Sequence, residues 1–355
     1  MKTAGDVHMD VQVLKDIPGD QLMPTMRYIT VALGVGCDHC HDVTNFASDD
    51  KPGKAQARNM LKMMFTINAE DFGGRLEITC YTCHRGARGA AIMPVLPEVA
   101  QAASVAPTSA SMAALSEKPG PESTSGPGVA VAPQPAIDTI LNKYAEALGG
   151  TDAIQKIMTL VERGTVDTPE RRMHGKIEVY RKVPEKALAV LHSPTGDVVE
   201  GFNGMIGWES RAGRGLRGET GDELPGVKGN ASFLTGIRMK QGFSRMQAFG
   251  VEKVGDRDAH SVAAWRRGGD QVDFFFDAET GLLLRVTERI ESPLGDLPQE
   301  TDFYDYRYVS GVRMPFTIRV VRIDSTTTYQ WDQVQANVPM DDCQFEKPPE
   351  KPPLP

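Results

Sequence analysis

Two pentapeptides near the start of the chain have the residue types and spacing needed to hold a porphyrin covalently: Cys37-Asp38-His39-Cys40-His41 and Cys80-Tyr81-Thr82-Cys83-His84. In Cys-x-x-Cys-His the two thiols reach two vinyl-derived carbons on one porphyrin edge as thioethers. The histidine that follows offers an imidazole nitrogen to the iron. These motifs use four of the five cysteines in the chain. A Cys₄ zinc site also uses paired CxxC, but its halves usually lie about 15–20 residues apart, a much shorter gap than the one between Cys40 and Cys80. Two disulfides would consume the thiols and leave the histidines unexplained. The expectation is two covalently bound haem c groups, attached at Cys37, Cys40, Cys80 and Cys83, with His41 and His84 as fifth iron ligands.

A sixth ligand must come from an element that folds back over each porphyrin. Residues 19–34 read as a helix with Asp20 as its N-cap and with Met23 and Met26 three apart; Gly34 and Gly36 break it before Cys37. Residues 54–68 read as a second helix carrying Met60, Met63 and Met64, followed by Phe72-Gly73-Gly74, which turns the chain toward Cys80. Methionine more often packs a core than binds iron. This stretch nevertheless repeats one plan twice and is nearly empty of spare histidines, so at least one methionine ligand is expected from each helix. His/Met ligation raises a haem's potential and fills both axial positions, which favours passing single electrons over catalysis.

The 355 residues suit two or three domains, and the net charge of −8 makes nucleic acid a poor partner. Thioether-linked haem is attached after export, so a periplasmic or extracellular location is expected. Residues 1–19 lack an apolar signal core, so a leader is expected outside this numbering, and a lipid anchor is compatible with that. No run of about 18 apolar residues spans a membrane.

Composition changes beyond the haem motifs. Four regions are expected: a helical diheme domain at 1–95, a Pro/Ala/Ser/Gly-rich linker at 96–136, a β-rich domain at 137–346 and a Pro-rich tail at 347–355. The third opens with an amphipathic helix over Ile137–Leu148 stopped by Gly149-Gly150, and a short helix over 152–158. Strand-like alternation then covers 176–183, 186–193, 197–202, 260–267, 271–276, 282–289, 303–308, 315–322 and 326–338. Residues 228–249 look mixed, with room for a short helix. His174, His192 and His260 are scattered and read as surface or strand residues. Glu162-Arg163 reads as a solvated face, and Cys343 as a buried inert thiol. No catalytic constellation emerges, so an enzyme is not expected.

The segments Val13-Leu14-Lys15, Met23-Pro24-Thr25-Met26 and Gly36 through His41, with Ala57 through Met63 and Thr79 through Gly86, resemble the cytochrome subunit of photosynthetic reaction centres. That family carries four haems in two diheme halves, and residues 8–90 resemble one half. The resemblance implies Met26 as sixth ligand of the first haem and Met60 as that of the second, leaving Met23, Met63 and Met64 to packing. It also implies partners among redox proteins or a membrane electron-transfer complex. The C-terminal region more loosely resembles the LolA/LolB-like lipoprotein-carrier fold. The resemblance rests on Trp208, Phe275 through Leu282, Tyr304 through Arg307 and Gly311 through Phe316. It implies a curved, open antiparallel sheet, or half-barrel, with helices on its concave face.

The fold class expected is therefore multi-domain: a small α-helical cytochrome unit plus a mainly antiparallel β unit. The leading function is an exported diheme electron carrier. One alternative is a subunit that self-associates into a filament with stacked haems. Another is a lipophilic-ligand binder with a haem domain attached.

Overall fold

A computed structural model describes residues 2–90, 135–194, 196–212, 215–219, 242–266 and 269–349. The Pro/Ala/Ser/Gly-rich stretch at 96–136 falls almost wholly outside these ranges, as does most of the tail at 347–355 and of 228–249.

The N-terminal unit is helical: α1 (Ala4–Val7), α2 (Leu22–Leu33), α3 (Pro52–Asp71) and α4 (Cys80–His84). Asp20 does not cap α2 as expected; it sits inside a 3₁₀ turn at Gly19–Gln21, and α2 begins after Gln21 without a side-chain cap. Proline at the first position of α3 supplies a fixed φ where no backbone donor is needed.

The larger unit is one antiparallel sheet. From its middle, β1 (Thr159–Thr168), β2 (Met173–Lys182), β3 (Lys186–His192), β4 (Val198–Phe202), β5 (Gly207–Arg211) and β6 (Gly215–Glu219) step outward to one edge. From the opposite edge, β7 (Arg245–Val254), β8 (Arg257–Trp265), β9 (Gln271–Asp277), β10 (Leu283–Ile290), β11 (Leu297–Val309), β12 (Val312–Arg322) and β13 (Ser325–Ala336) step back in, until β13 pairs with β1. Each strand expected from alternation overlaps one of these. Four others, β1, β5, β6 and β7, lacked a clear alternating signature; β1 opens with four consecutive buried residues, Thr159 to Glu162. Strand β7 is irregular because a bulge interrupts its pairing with β8 between Ala248 and Gly250. Strands β5 and β6 are only five residues long.

Period-two burial builds the core. In β9, Val272, Phe274 and Phe276 turn to one face and are buried with Val262, Ala264 and Leu283 of the neighbouring strands. The helix α5 (Ile137–Leu148) lays Ile140, Leu141, Tyr144 and Leu148 on that face, and α6 (Thr151–Gln155) adds Ile154. Each such side chain contributes about 1.5–3 kcal/mol on burial. Helix α5 ends at Gly149, whose φ is +118°. A Cβ there would stand 2.2 Å from the Gly311 carbonyl oxygen, so only glycine lets the helix end approach the β11–β12 turn.

Two sequence readings are corrected here. Glu162 is buried rather than solvated, and Arg181 of the adjacent strand reaches its carboxylate at 2.8 Å. Burial pushes the Glu162 carboxyl up while Arg181 pulls the other way. Cys343 is exposed, not buried, and its hydrogen bond with Asp341 pushes its thiol up, which keeps it in the less reactive form.

The two units touch. Leu294, in the β10–β11 connection, is fully buried among Leu14, Leu22, Ile29, Leu61 and Met64 of the helical unit. Arg27 of α2 lies 3.8 Å from Asp324 in the β12–β13 turn.

Candidate haem-attachment site

The first motif follows α2 directly. Gly34 terminates the helix at φ +63°, and the Val35 amide bonds back to the Thr30 carbonyl, so the chain reverses within a few residues. Cys37 to His39 form a 3₁₀ turn, with Cys40 and His41 next in line. The second motif is itself the helical turn α4, opened by Thr79, whose hydroxyl and that of Thr82 cap it reciprocally.

Each helix meets both motifs. Helix α2 leads into the first and backs onto the second: the Tyr28 hydroxyl donates to Thr79 Oγ1 at 2.9 Å, and the Gly86 amide donates to the Ala32 carbonyl at 2.9 Å. A Cβ on Gly34 would lie 2.2 Å from the Gly86 carbonyl oxygen, which makes glycine necessary at this crossing. Helix α3 begins against the first motif, where Gly53 faces the His39 carbonyl and the Cys40 sulfur, and it ends in the turn toward the second.

Both motif histidines are oriented the same way. His41 Nδ1 lies 3.1 Å from the Phe46 carbonyl oxygen, and His84 Nδ1 lies 3.1 Å from that of Ala87. A carbonyl only accepts, so each Nδ1 carries the proton and each Nε2 keeps its lone pair. That tautomer is the one an iron-ligating imidazole needs. The four motif cysteines are free thiols, with Cys37 and Cys83 exposed. Burial pushes the Cys40 and Cys80 thiols up. Among the described residues no three of His, Cys, Asp and Glu gather to hold a metal ion.

Met26 is half-buried against the Leu22–Ile29 core, and Met60 is 41% exposed on α3. Met26 lies one turn after buried Leu22, and Met60 lies one turn before buried Met64. At 3.6 residues per turn, both sit at the rim of a buried stripe. Of the methionines assigned to packing, only Met64 packs; Met23 and Met63 are 55% and 50% exposed. Around the motifs Val43, Phe46, Leu76 and Tyr81 are also exposed. So much apolar surface beside two free Cys-x-x-Cys-His segments fits a flat apolar group such as a porphyrin.

Two residues that hold this geometry escaped sequence reading. Lys54 is buried, and its ammonium donates to the carbonyls of Phe46, Ala47 and Ser48 at 3.1, 2.9 and 3.0 Å. It also meets Asp10 at 2.8 Å and Asp49 at 3.0 Å, and Arg58 bridges the same two carboxylates at 2.7 and 3.0 Å. These cations hold the Asp10 and Asp49 carboxyls below the usual range, Lys54 foremost for Asp10 and Arg58 for Asp49. Asn68, also buried, donates to the carbonyls of Met64 and Ile78 at 3.1 and 2.7 Å. Its own oxygen accepts from the amides of Glu77 and Ile78 at 3.0 and 2.9 Å. All four of its hydrogen-bonding sites are used.

The N-terminal geometry agrees with the sequence comparisons. Residues 1–122 match the family of the photosynthetic reaction centre cytochrome C subunit. Over 63 residues the chain is 48% identical to cytochrome c-554 of Chloroflexus aurantiacus, covering 18% of this chain and 15% of that protein. Over 83 residues it is 39% identical to the photosynthetic reaction center cytochrome c subunit of Thermochromatium tepidum, covering 22% of this chain and 20% of that one. The chain thus spans a fifth or less of the length of these relatives, and the similarity falls on the region of the two motifs. It supports a c-type cytochrome with electron transfer as its chemistry. Among solved structures, a DUF1329 family protein from Desulfovibrio piger covers 59% of this chain and 97% of itself at 14% identity and TM-score 0.44. A LolA superfamily protein from Nitrosomonas europaea gives the same coverage at 14% identity and TM-score 0.42.

Proposed function

We propose that the chain is an exported diheme c-type cytochrome that relays single electrons between redox partners. Cys37 and Cys40 hold the first haem, Cys80 and Cys83 the second, and His41 and His84 ligate the irons through Nε2. Met26 and Met60 complete the two coordination spheres. The haem supplies a one-electron couple when bound. The protein's part would be to orient each imidazole, to cover each ring with a helix and, with Met26 and Met60, to exclude substrate from the iron. The observation that carries this reading is the matched anchoring of both histidines by Nδ1 to a backbone carbonyl, each inside a Cys-x-x-Cys-His segment.

The diheme unit of about residues 1–95 is joined through 96–136 to a sheet unit at 137–346, which serves to dock the cytochrome on a redox protein or membrane complex. The test is the mass and visible spectrum of the protein made in a host that attaches haem c. Two haems per chain are expected, with a methionine–iron charge-transfer band for each. Met26→His and Met60→His should each remove one band and lower one potential. Loss of neither band would sink the ligand assignment, and fewer than two haems would sink the diheme reading.

A further inference from the structure

The two motif histidines differ in what stands behind their carbonyl partners. The Phe46 oxygen receives two donors, His41 Nδ1–H at 3.1 Å and the buried ammonium of Lys54 at 3.1 Å. The Ala87 oxygen receives His84 Nδ1–H at 3.1 Å, and among the described residues no second donor reaches it. A strong acceptor on Nδ1–H makes an imidazole more basic and the iron more electron-rich. A cation on the same oxygen draws its electron density away and weakens it as an acceptor. Asp10 and Asp49 share the charge of Lys54, but no described bond joins either carboxylate to His41 or to Phe46.

We propose that Lys54, acting through the Phe46 carbonyl on His41, raises the reduction potential of the first haem above that of the second, so that a single electron on this chain rests at the first. Lys54 is a positioning residue in this scheme. Its ammonium also ties down residues 46–48, so the same contact orients the ring and sets its basicity. The two haems then become unequal through a residue outside both attachment motifs.

The inference rests on the diheme reading, and one set of samples separates the two. Full-length haem-loaded protein, Lys54→Met and Asp10→Asn are titrated by optical spectroelectrochemistry, with haem content read by mass spectrometry on the same material. Lys54→Met is expected to lower one of the two potentials by at least a tenfold change in the oxidised-to-reduced ratio, about 59 mV for a one-electron couple. Asp10→Asn frees more of the ammonium's charge for the carbonyl and is expected to raise the same potential, leaving the other in place. Opposite signs from two substitutions in one cluster are not what mere loosening of the fold produces. If Lys54→Met fails to fold, Asp10→Asn decides alone, and an unmoved or lowered potential overturns the proposal. Equal movement of both potentials, or movement of neither with two haems present, overturns it as well. Fewer than two haems on the wild-type chain would overturn the diheme reading and this one with it.

Discussion

The two attachment segments have the same chemistry in different settings. Around the first, a buried ammonium, a guanidinium and two carboxylates hold the loop that follows the motif. Around the second, the neutral amide of Asn68 holds the stretch that precedes it, with an exposed Arg75–Glu77 pair on its surface. On the proposed reading a pentapeptide attaches the haem, while residues far from it in sequence fix how rigidly and in what field its histidine is held. The first setting is expected to respond to pH and salt more than the second.

The contrast can be tested at three strengths. The largest effect is expected from Leu294→Ala, which empties a position packed against the common core of both settings. A loss of about 2–5 kcal/mol is expected, read as a lower denaturation midpoint for the helical unit. Equal loosening around both motifs by hydrogen exchange would mark the shared core, and loosening of one alone would break that description. Next is Asn68→Leu, which removes the partner of the Ile78 carbonyl and amide, while the Glu77 amide keeps the Arg75 carbonyl. A fully buried unpaired group costs about 1–3 kcal/mol, and Ile78 is only half-buried, so a smaller loss than that of Leu294→Ala is expected. Exchange protection should fall at residues 75–79 and persist at 46–48; the reverse pattern would refute the division. The smallest effect is that of acid. Asp10 and Asp49 have folded pKa values below their unfolded ones, so their stabilisation is full above about pH 4 and is lost as pH falls toward the folded values. Amides at 42–51 should therefore open in acid before those at 75–79, measured by exchange corrected for intrinsic rate. Simultaneous opening would count against the charged cluster.

Local signals were legible in the sequence wherever one residue pattern decided the outcome. Helix α5 was readable to the residue because its apolar period ends at Gly149-Gly150. The β9–β10 hairpin was readable because Asp277 accepts from the amides of Glu279 and Thr280, as an aspartate in such a turn does. Cys-x-x-Cys-His needs no tertiary context at all. What stayed hidden depends on partners distant along the chain. Glu162 looks like surface until Arg181 is known to lie across from it. Lys54 looks like an ordinary exposed helix lysine until Asp10, 44 residues earlier, closes over it. Met23 and Met63, which the family resemblance left to packing, are exposed, because a shared motif does not say where a core ends.

Leu294 carries one further consequence. It plugs the helical unit onto the sheet, and the Arg27–Asp324 pair stands beside it. The covalent connection between the units therefore joins two ends that are already docked. Its length sets a ring-closure entropy, about 0.6 kcal/mol for each doubling. Shortening or lengthening it is expected to leave Leu294 buried against Leu22, Ile29 and Leu61.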